Sequence, residues 1–205
     1  MRALILVDIQ NDFLPGGALA VPRGDEVVPV ANLAQQEFAL VVATQDWHPR
    51  EHGSFASQHP GRSPGELSEL AGLPQVLWPD HCAQGSHGAA FAAALDLRRV
   101  EAIFRKGTDP RIDSYSAFFD NGHRKSTGLG DYLRGRGAGE VHVMGLALDY
   151  CVKFTALDAQ ELGFRTFVHL EGSRGVDLRP GDVDRAVEEL RAAGVQVVRG
   201  TTAAP

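Results

Sequence analysis

Three residues of this 205-residue chain have chemistries that fit together: Asp8, Lys106 and Cys151. Asp8 directly follows the apolar run Ala3–Val7, and Lys106 follows Glu101–Arg105. Cys151 lies where the turn Gly145-Leu146-Ala147-Leu148-Asp149-Tyr150 passes into a helical stretch. A thiol at a helix start has its thiolate stabilised by the helix dipole, and a nearby ammonium adds to this. An adjacent carboxylate can take the thiol proton and later deliver it to a leaving amine. Backbone N–H groups of the turn Ala147–Cys151 are placed to hold the oxyanion of a tetrahedral intermediate. Taken singly, Cys151 reads as a buried small hydrophobe, Asp8 as a turn residue and Lys106 as half of an ion pair. Their joint placement at strand ends is what predicts nucleophilic chemistry.

A second set consists of one carboxylate and two imidazoles. In Asp46-Trp47-His48 the residues i and i+2 of an extended segment point to one side, so carboxylate and imidazole converge. His81, in Trp78-Pro79-Asp80-His81-Cys82, is the third candidate. Such a set with open positions suits Zn²⁺, Mn²⁺ or Fe²⁺, with water completing the shell. His52 is a further candidate ligand. His59, His87, His123, His142 and His169 read as structural or solvent-facing.

The elements that must position these residues follow from the apolar pattern. Strands are expected at Ala3–Val7, Ala39–Thr44, Glu101–Arg105, Glu140–Met144, Arg165–Leu170 and Val195–Val198. Most are continuous apolar runs, as strands buried on both faces should be. Helical stretches lie between them, at Asp25–Phe38, Ser126–Arg136, Asp149–Leu162 and Gly181–Ala193, the last with Val183, Ala186, Val187 and Leu190 at helical spacing. This alternation predicts an α/β fold in three layers: a doubly wound, mostly parallel six-stranded sheet with helices on both faces. Ligands of such sheets bind beyond the carboxyl ends of the strands, near the switch point. The reading is of one domain over residues 1–205, with a long loop at about 45–88 carrying the metal candidates and a short helix near Gly65–Ala71. Loops of that length inside compact domains are usually functional. The tail Gly200–Pro205 is expected to fray.

Composition narrows the classes. Apolar residues make up 43%, and 20 Lys plus Arg against 26 Asp plus Glu leave a net charge of −6, with no basic tract. Neither a nucleic acid nor an anionic membrane is therefore expected as a partner. Two cysteines are too few for a disulfide scaffold. The first apolar run is too short for a secretory leader core, and no run approaches a membrane span, so a cytoplasmic enzyme is expected. Gly61-Arg62-Ser63-Pro64-Gly65 matches a nucleophile-elbow pattern, but Pro64 removes the N–H needed for the oxyanion. Gly135-Arg136-Gly137-Ala138-Gly139 precedes a strand, so it ends a helix and binds no dinucleotide. Lys106-Gly107-Thr108 lacks the glycine loop of a phosphate site.

Six ordered segments resemble the nicotinamidases, the amide-hydrolysing branch of the isochorismatase-like cysteine hydrolases. They are Val7–Phe13, Thr44–Pro49, Trp78–Cys82, Phe104–Gly107, Asp113–Phe118 and Gly145–Val152. The resemblance implies hydrolysis of nicotinamide to nicotinate and ammonia through a cysteine thioester, a step of NAD salvage, with pyrazinamide as a further substrate. It implies Cys151 as nucleophile, Asp8 as general base and then acid, and Lys106 as the third triad member, with Ala147 and Cys151 forming the oxyanion hole. Asp46, His48 and His81 would hold one divalent metal, which in this family binds the pyridine nitrogen. Phe13 and Trp78 match aromatic positions flanking the ring, Leu146 and Ala147 are further expected substrate-binding residues, and the Leu146–Ala147 bond matches a cis peptide bond ahead of the nucleophile. Leu148 stands where many relatives carry Thr, and His52 or Glu51 matches a fourth ligand position of some relatives. Assembly into a homo-oligomer is left open. A sibling hydrolase acting on another amide or carbamoyl compound is the alternative. A different class is a non-catalytic metal-binding module with Cys82 and Cys151 joined as a disulfide.

Overall fold

The first strand shows why the sheet is buried on both faces. In the computed structural model, which describes residues 1–199, β1 spans Arg2–Val7. Its Ala3, Ile5 and Val7 enter one core, and Leu4 and Leu6 enter the other. A strand packed on both sides has no solvent face to mark with polar residues, hence the continuous apolar run. The remaining sheet strands are β2 (Leu40–Asp46), β5 (Val100–Lys106), β6 (Glu140–Leu146), β7 (Arg165–Arg174) and β8 (Gln196–Val198). They pair in the order β5-β2-β1-β6-β7-β8, and every pairing is parallel. All six expected strands are present, with ends shifted; β7 continues past Leu170 to Arg174, its register with β6 breaking between Val143 and Gly145. The expected fraying of Gly200–Pro205 lies outside the described residues.

Four helices cover the sheet: α1 (Val27–Ala34), α2 (Leu129–Gly135), α3 (Lys153–Glu161) and α4 (Asp182–Ala192). Leu129 and Leu133 of α2, Ala156 and Ala159 of α3 and Leu190 of α4 pack on the Ala3–Ile5–Val7 face. The other face takes Val27, Val28, Ala31 and Ala34 of α1 together with loop residues such as Ile9, Ala89, Ala92 and Leu95. The layer on that side is thus half helix and half irregular chain.

The loop at 45–88 departs from expectation at one point. Residues expected as a short helix near Gly65–Ala71 form an antiparallel hairpin, β3 (Leu67–Leu70) and β4 (Leu73–Val76). The two turn residues decide it: Ala71 and Gly72 both have positive φ, 57° and 80°, the geometry of a two-residue hairpin turn. The sheet grows from β1 in both directions, so its switch point is the crevice between β1 and its neighbours. Asp46 and Lys106 are register partners at the ends of β2 and β5, Asp8 directly follows β1, and Leu146 ends β6.

Candidate active site

At that crevice the Lys106 ammonium is wholly buried among four groups. Its Nζ lies 2.8 Å from Asp8 Oδ2, 2.7 Å from Asp46 Oδ1, 3.0 Å from the Ser114 carbonyl and 3.3 Å from Cys151 Sγ. Asp8 is further held by the Thr44 hydroxyl, which donates to Oδ1 at 2.6 Å while accepting the Asp8 N–H. Asp8, Lys106 and Cys151 are therefore brought together as the strand ends predicted. Burial would lower the Lys106 pKa, but Asp46 and Asp8 outweigh it and raise it well above the usual value. Asp46 moves the other way: burial is outweighed by Lys106 and His48, which hold its carboxyl well below the ordinary range. Asp8 is raised by burial, with Lys106 opposing.

The thiol differs from expectation. Burial pushes Cys151 well above the ordinary thiol value, and Lys106 only partly opposes this. Nor does Cys151 start an α-helix. It sits in a wider π-type turn, Leu148–Val152, with α3 beginning at Lys153. Such turns are common at functional sites. The Ala147 carbonyl accepts the N–H groups of Tyr150 and Val152, and the Leu146–Ala147 bond is cis. The dipole and ammonium act on a thiol that remains protonated at rest, so a base is needed to ionise it.

Asp46, His48 and His81 also converge. His48 Nε2 and His81 Nε2 lie 3.3 and 3.6 Å from Asp46 Oδ2. His48 Nδ1 donates to the Gly107 carbonyl at 2.9 Å, and His81 Nδ1 to the Pro79 carbonyl at 2.8 Å. A carbonyl only accepts, so each Nδ1 carries a proton; burial would lower the His48 pKa, but Asp46 outweighs it and raises it, and a cation taking the place of the Nε2 proton would meet a lone pair there. Two lone pairs and an anion in one buried spot fit a cation held between them. Gly107 is required here, because a Cβ would stand 2.3 Å from His48 Cε1.

His52 is different. The Ser54 N–H donates to His52 Nδ1 at 3.3 Å, so Nδ1 is the acceptor and the proton sits on Nε2. Burial, with His48 adding to it, lowers its pKa to about 4, which keeps the ring neutral. Ser54 Oγ also lies 2.7 Å from Nδ1, and the buried Nε2 has no hydrogen-bond partner among the described residues. Glu51 is exposed, outside the cluster.

Above these groups lies a small pocket lined by Phe13, Leu19, Trp78, Tyr115, Ala147, Tyr150 and Val176, with Cys151, Asp46, His48 and His81 at its polar end. Leu146, expected at the ring, does not line it: its side chain is fully buried in the core beneath α1. Leu19, Tyr115, Tyr150 and Val176 were missed, since single aromatic or aliphatic residues in loops carry no spacing signal. The sequence signal at Val7–Phe13 also hides a scaffold. Gln10 pairs with the backbone of Asp46 in both directions, Asn11 donates to the His87 carbonyl, and Asp12 accepts the Cys82 N–H. These bonds tie the long loop to the end of β1. Cys82 and Cys151 are both free, which removes the disulfide of the non-catalytic alternative.

The isochorismatase domain matches residues 2–202. The chain belongs to the isochorismatase domain family. Within this family it is 54% identical to the nicotinamidase of Escherichia coli over 197 residues, covering 94% of this chain and 92% of that one. Among solved structures it is similar to the Acinetobacter baumanii nicotinamidase pyrazinamidease, with a TM-score of 0.94, 45% identity and coverage of 97% and 95%. It is also similar to the pyrazinamidase of Pyrococcus horikoshii in complex with zinc, with a TM-score of 0.79, 37% identity and coverage of 97% and 99%. No helix among the described residues is long and apolar enough to cross a membrane.

Proposed function

We propose that this isochorismatase-family chain is a nicotinamidase: it hydrolyses nicotinamide to nicotinate and ammonia, and accepts pyrazinamide. The observation that carries this reading is the buried Lys106 ammonium bridging the Asp8 carboxylate and the Cys151 thiol at the end of a small aromatic pocket. Similarity to a nicotinamidase over nearly the whole chain supports the same reaction.

The order of steps follows from the charges. At rest Cys151 is a thiol and Asp8 a carboxylate held by Lys106 and Thr44. As Sγ bonds to the amide carbon, Asp8 takes the thiol proton, and the N–H groups of Ala147 and Cys151 receive the oxyanion. Asp8 then gives the proton to the amide nitrogen, the C–N bond breaks, and ammonia leaves a thioester on Cys151. Water attacks the thioester carbon with Asp8 taking its proton, and nicotinate departs as the proton returns to sulfur. Lys106 keeps its charge throughout and offsets the negative charge that moves between Asp8 and Cys151. Phe13 and Trp78 hold the ring by apolar contact. Asp46, His48 and His81 would hold one divalent ion, zinc in the first place, which supplies a Lewis-acid anchor for the ring nitrogen. Such a reaction belongs to NAD salvage and to the cytoplasm.

Purified, metal-reconstituted protein incubated with nicotinamide is expected to release ammonia and nicotinate in equal amounts. Cys151→Ala is expected to lose more than about 10³-fold in turnover with an unchanged melting profile. Release from a carbamoyl compound but not from nicotinamide would instead establish the sibling hydrolase.

A further inference from the structure

Asp149 precedes the nucleophile by two residues, yet its side chain has no part in the steps above. It is 4% exposed. Oδ1 accepts the Val176 N–H at 2.9 Å, and Oδ2 accepts the Asp177 N–H at 2.8 Å. Both amides belong to the segment that leaves β7 at Arg174, and the Val176 side chain lines the pocket that holds Cys151. One carboxylate therefore joins the turn carrying the nucleophile to a segment that walls the ring pocket.

The surroundings show that this clamp has no slack. Gly175 runs against it so closely that a Cβ would stand 3.0 Å from Asp149 Oδ1 and 2.3 Å from Val183 Cγ2. Asp177 holds a positive φ of 52°, and its Oδ1 accepts the Val183 N–H of α4 at 3.3 Å. Two successive N–H groups aimed at one side chain need an acceptor at both oxygens, which a carboxylate supplies and an amide does not. Burial pushes the Asp149 carboxyl up, and the two N–H bonds oppose this.

The geometry points to Asp149 as a positioning residue that sets how far Val176 stands from the Cys151 turn, and so which substituted ring amides reach the thiol. The inference rests on the nicotinamidase reading for its substrate. It separates two jobs in one short motif: Cys151 does the chemistry, and Asp149 fixes the width of the slot in which the ring lies.

The test uses full-length, metal-loaded protein and compares nicotinamide with a panel of ring-methylated nicotinamides. Asp149→Asn is expected to raise KM for nicotinamide about tenfold with kcat within about threefold, and to weaken discrimination against the methylated rings about fivefold. Val176→Ala, which keeps the clamp but trims the wall, is expected to weaken discrimination in the same sense. Gly175→Ala, which presses on Oδ1 from behind, should reproduce the KM rise. The pH dependence of Cys151 alkylation by iodoacetamide should be the same in all three as in the wild type, because Asp8 and Lys106, the groups that act on the sulfur, are kept. A lowered melting temperature with unchanged KM and unchanged discrimination would overturn the inference, as would a loss in kcat alone. Should Asp149→Asn fail to fold, unchanged discrimination in both other variants overturns it equally. Wild-type turnover of nicotinamide decides the functional reading separately. The ratios between variants are read on whichever ring amide the wild type hydrolyses.

Discussion

Lys106 Nζ stands 3.3 Å from Cys151 Sγ and 2.8 Å from Asp8 Oδ2, and this single buried cation faces a thiol that burial keeps protonated. A pre-formed thiolate would need no base. A buried thiol beside a carboxylate does, and the pair works only if the proton moves as the sulfur attacks. The ammonium makes this possible by keeping the negative charge favourable on either atom.

Thiol reactivity measures that arrangement directly. Near pH 7, alkylation of Cys151 by iodoacetamide should slow at least tenfold in Asp8→Asn, a threshold set below the factor of about 10² to 10⁴ that general bases contribute to turnover. Lys106→Ala should slow it as well, because the cation opposing the burial penalty is gone. In the wild type the rate should keep rising above pH 9 as the remaining thiol ionises. Unchanged rates in both variants would remove Asp8 and Lys106 from the mechanism.

The metal ligands make a prediction about ring chemistry. Benzamide matches nicotinamide in ring size and amide but lacks the ring nitrogen, so its contacts with Phe13 and Trp78 should be nearly equal. Metal-replete enzyme is expected to favour nicotinamide by more than about tenfold in kcat/KM. Chelation, or His48→Ala, should erase most of that gap. Equal rates for the two amides in the replete enzyme would make the ion structural.

His52 and His81 should separate under metal titration. His81 turns an Nε2 lone pair toward Asp46, whereas the Ser54 N–H forces the His52 proton onto Nε2. His81→Ala should therefore weaken zinc affinity by more than about 10²-fold, and His52→Ala by less than about tenfold, the lower end of effects outside the ligand shell. Equal losses, measured by competition with a chromophoric chelator, would make His52 a fourth ligand.

A pH dependence of stability is expected far from the site. His142 is fully buried, stacked on Phe167 at 4.5 Å, with Nε2 donating to Glu140 at 2.8 Å and Nδ1 2.8 Å from His169 Nε2. Burial, partly opposed by Glu140, lowers its pKa to about 4. Since an unfolded histidine titrates near 6.5, the unfolded chain binds more protons between those values. The stabilisation is present above pH 6.5 and is lost as pH falls toward 4. The Tm advantage of wild type over His142→Gln should shrink by about 3 °C or more between pH 7.5 and 4.5, given roughly 2–4 °C per kcal/mol for a chain of this size. A gap independent of pH would show that the ring titrates as in water.

The sequence by itself determined the six parallel strands, the four helices and the residues at their carboxyl ends. Strands buried on both faces must be continuously apolar, so Ala3–Val7 and Leu40–Ala43 announce themselves, and the polar residue that ends such a run marks the crevice. Asp8 was legible for that reason, and Asp46, Lys106 and Cys151 because they lie just beyond other expected strand ends. Only the tertiary structure decided what each could do there. The protonation of Cys151 depends on burial and on the distance to Lys106, and neither is a property of local sequence. The difference between His48 and His52 lies in which backbone group meets Nδ1, a carbonyl for one and an N–H for the other. The pocket wall was hidden for the same cause. Leu19, Tyr115, Tyr150 and Val176 come from four separated segments and share no spacing. Leu146 lies beside the nucleophile in sequence, but strand geometry turns its side chain into the core. Periodicity records which face of an element is buried; it does not record which atoms of distant segments meet.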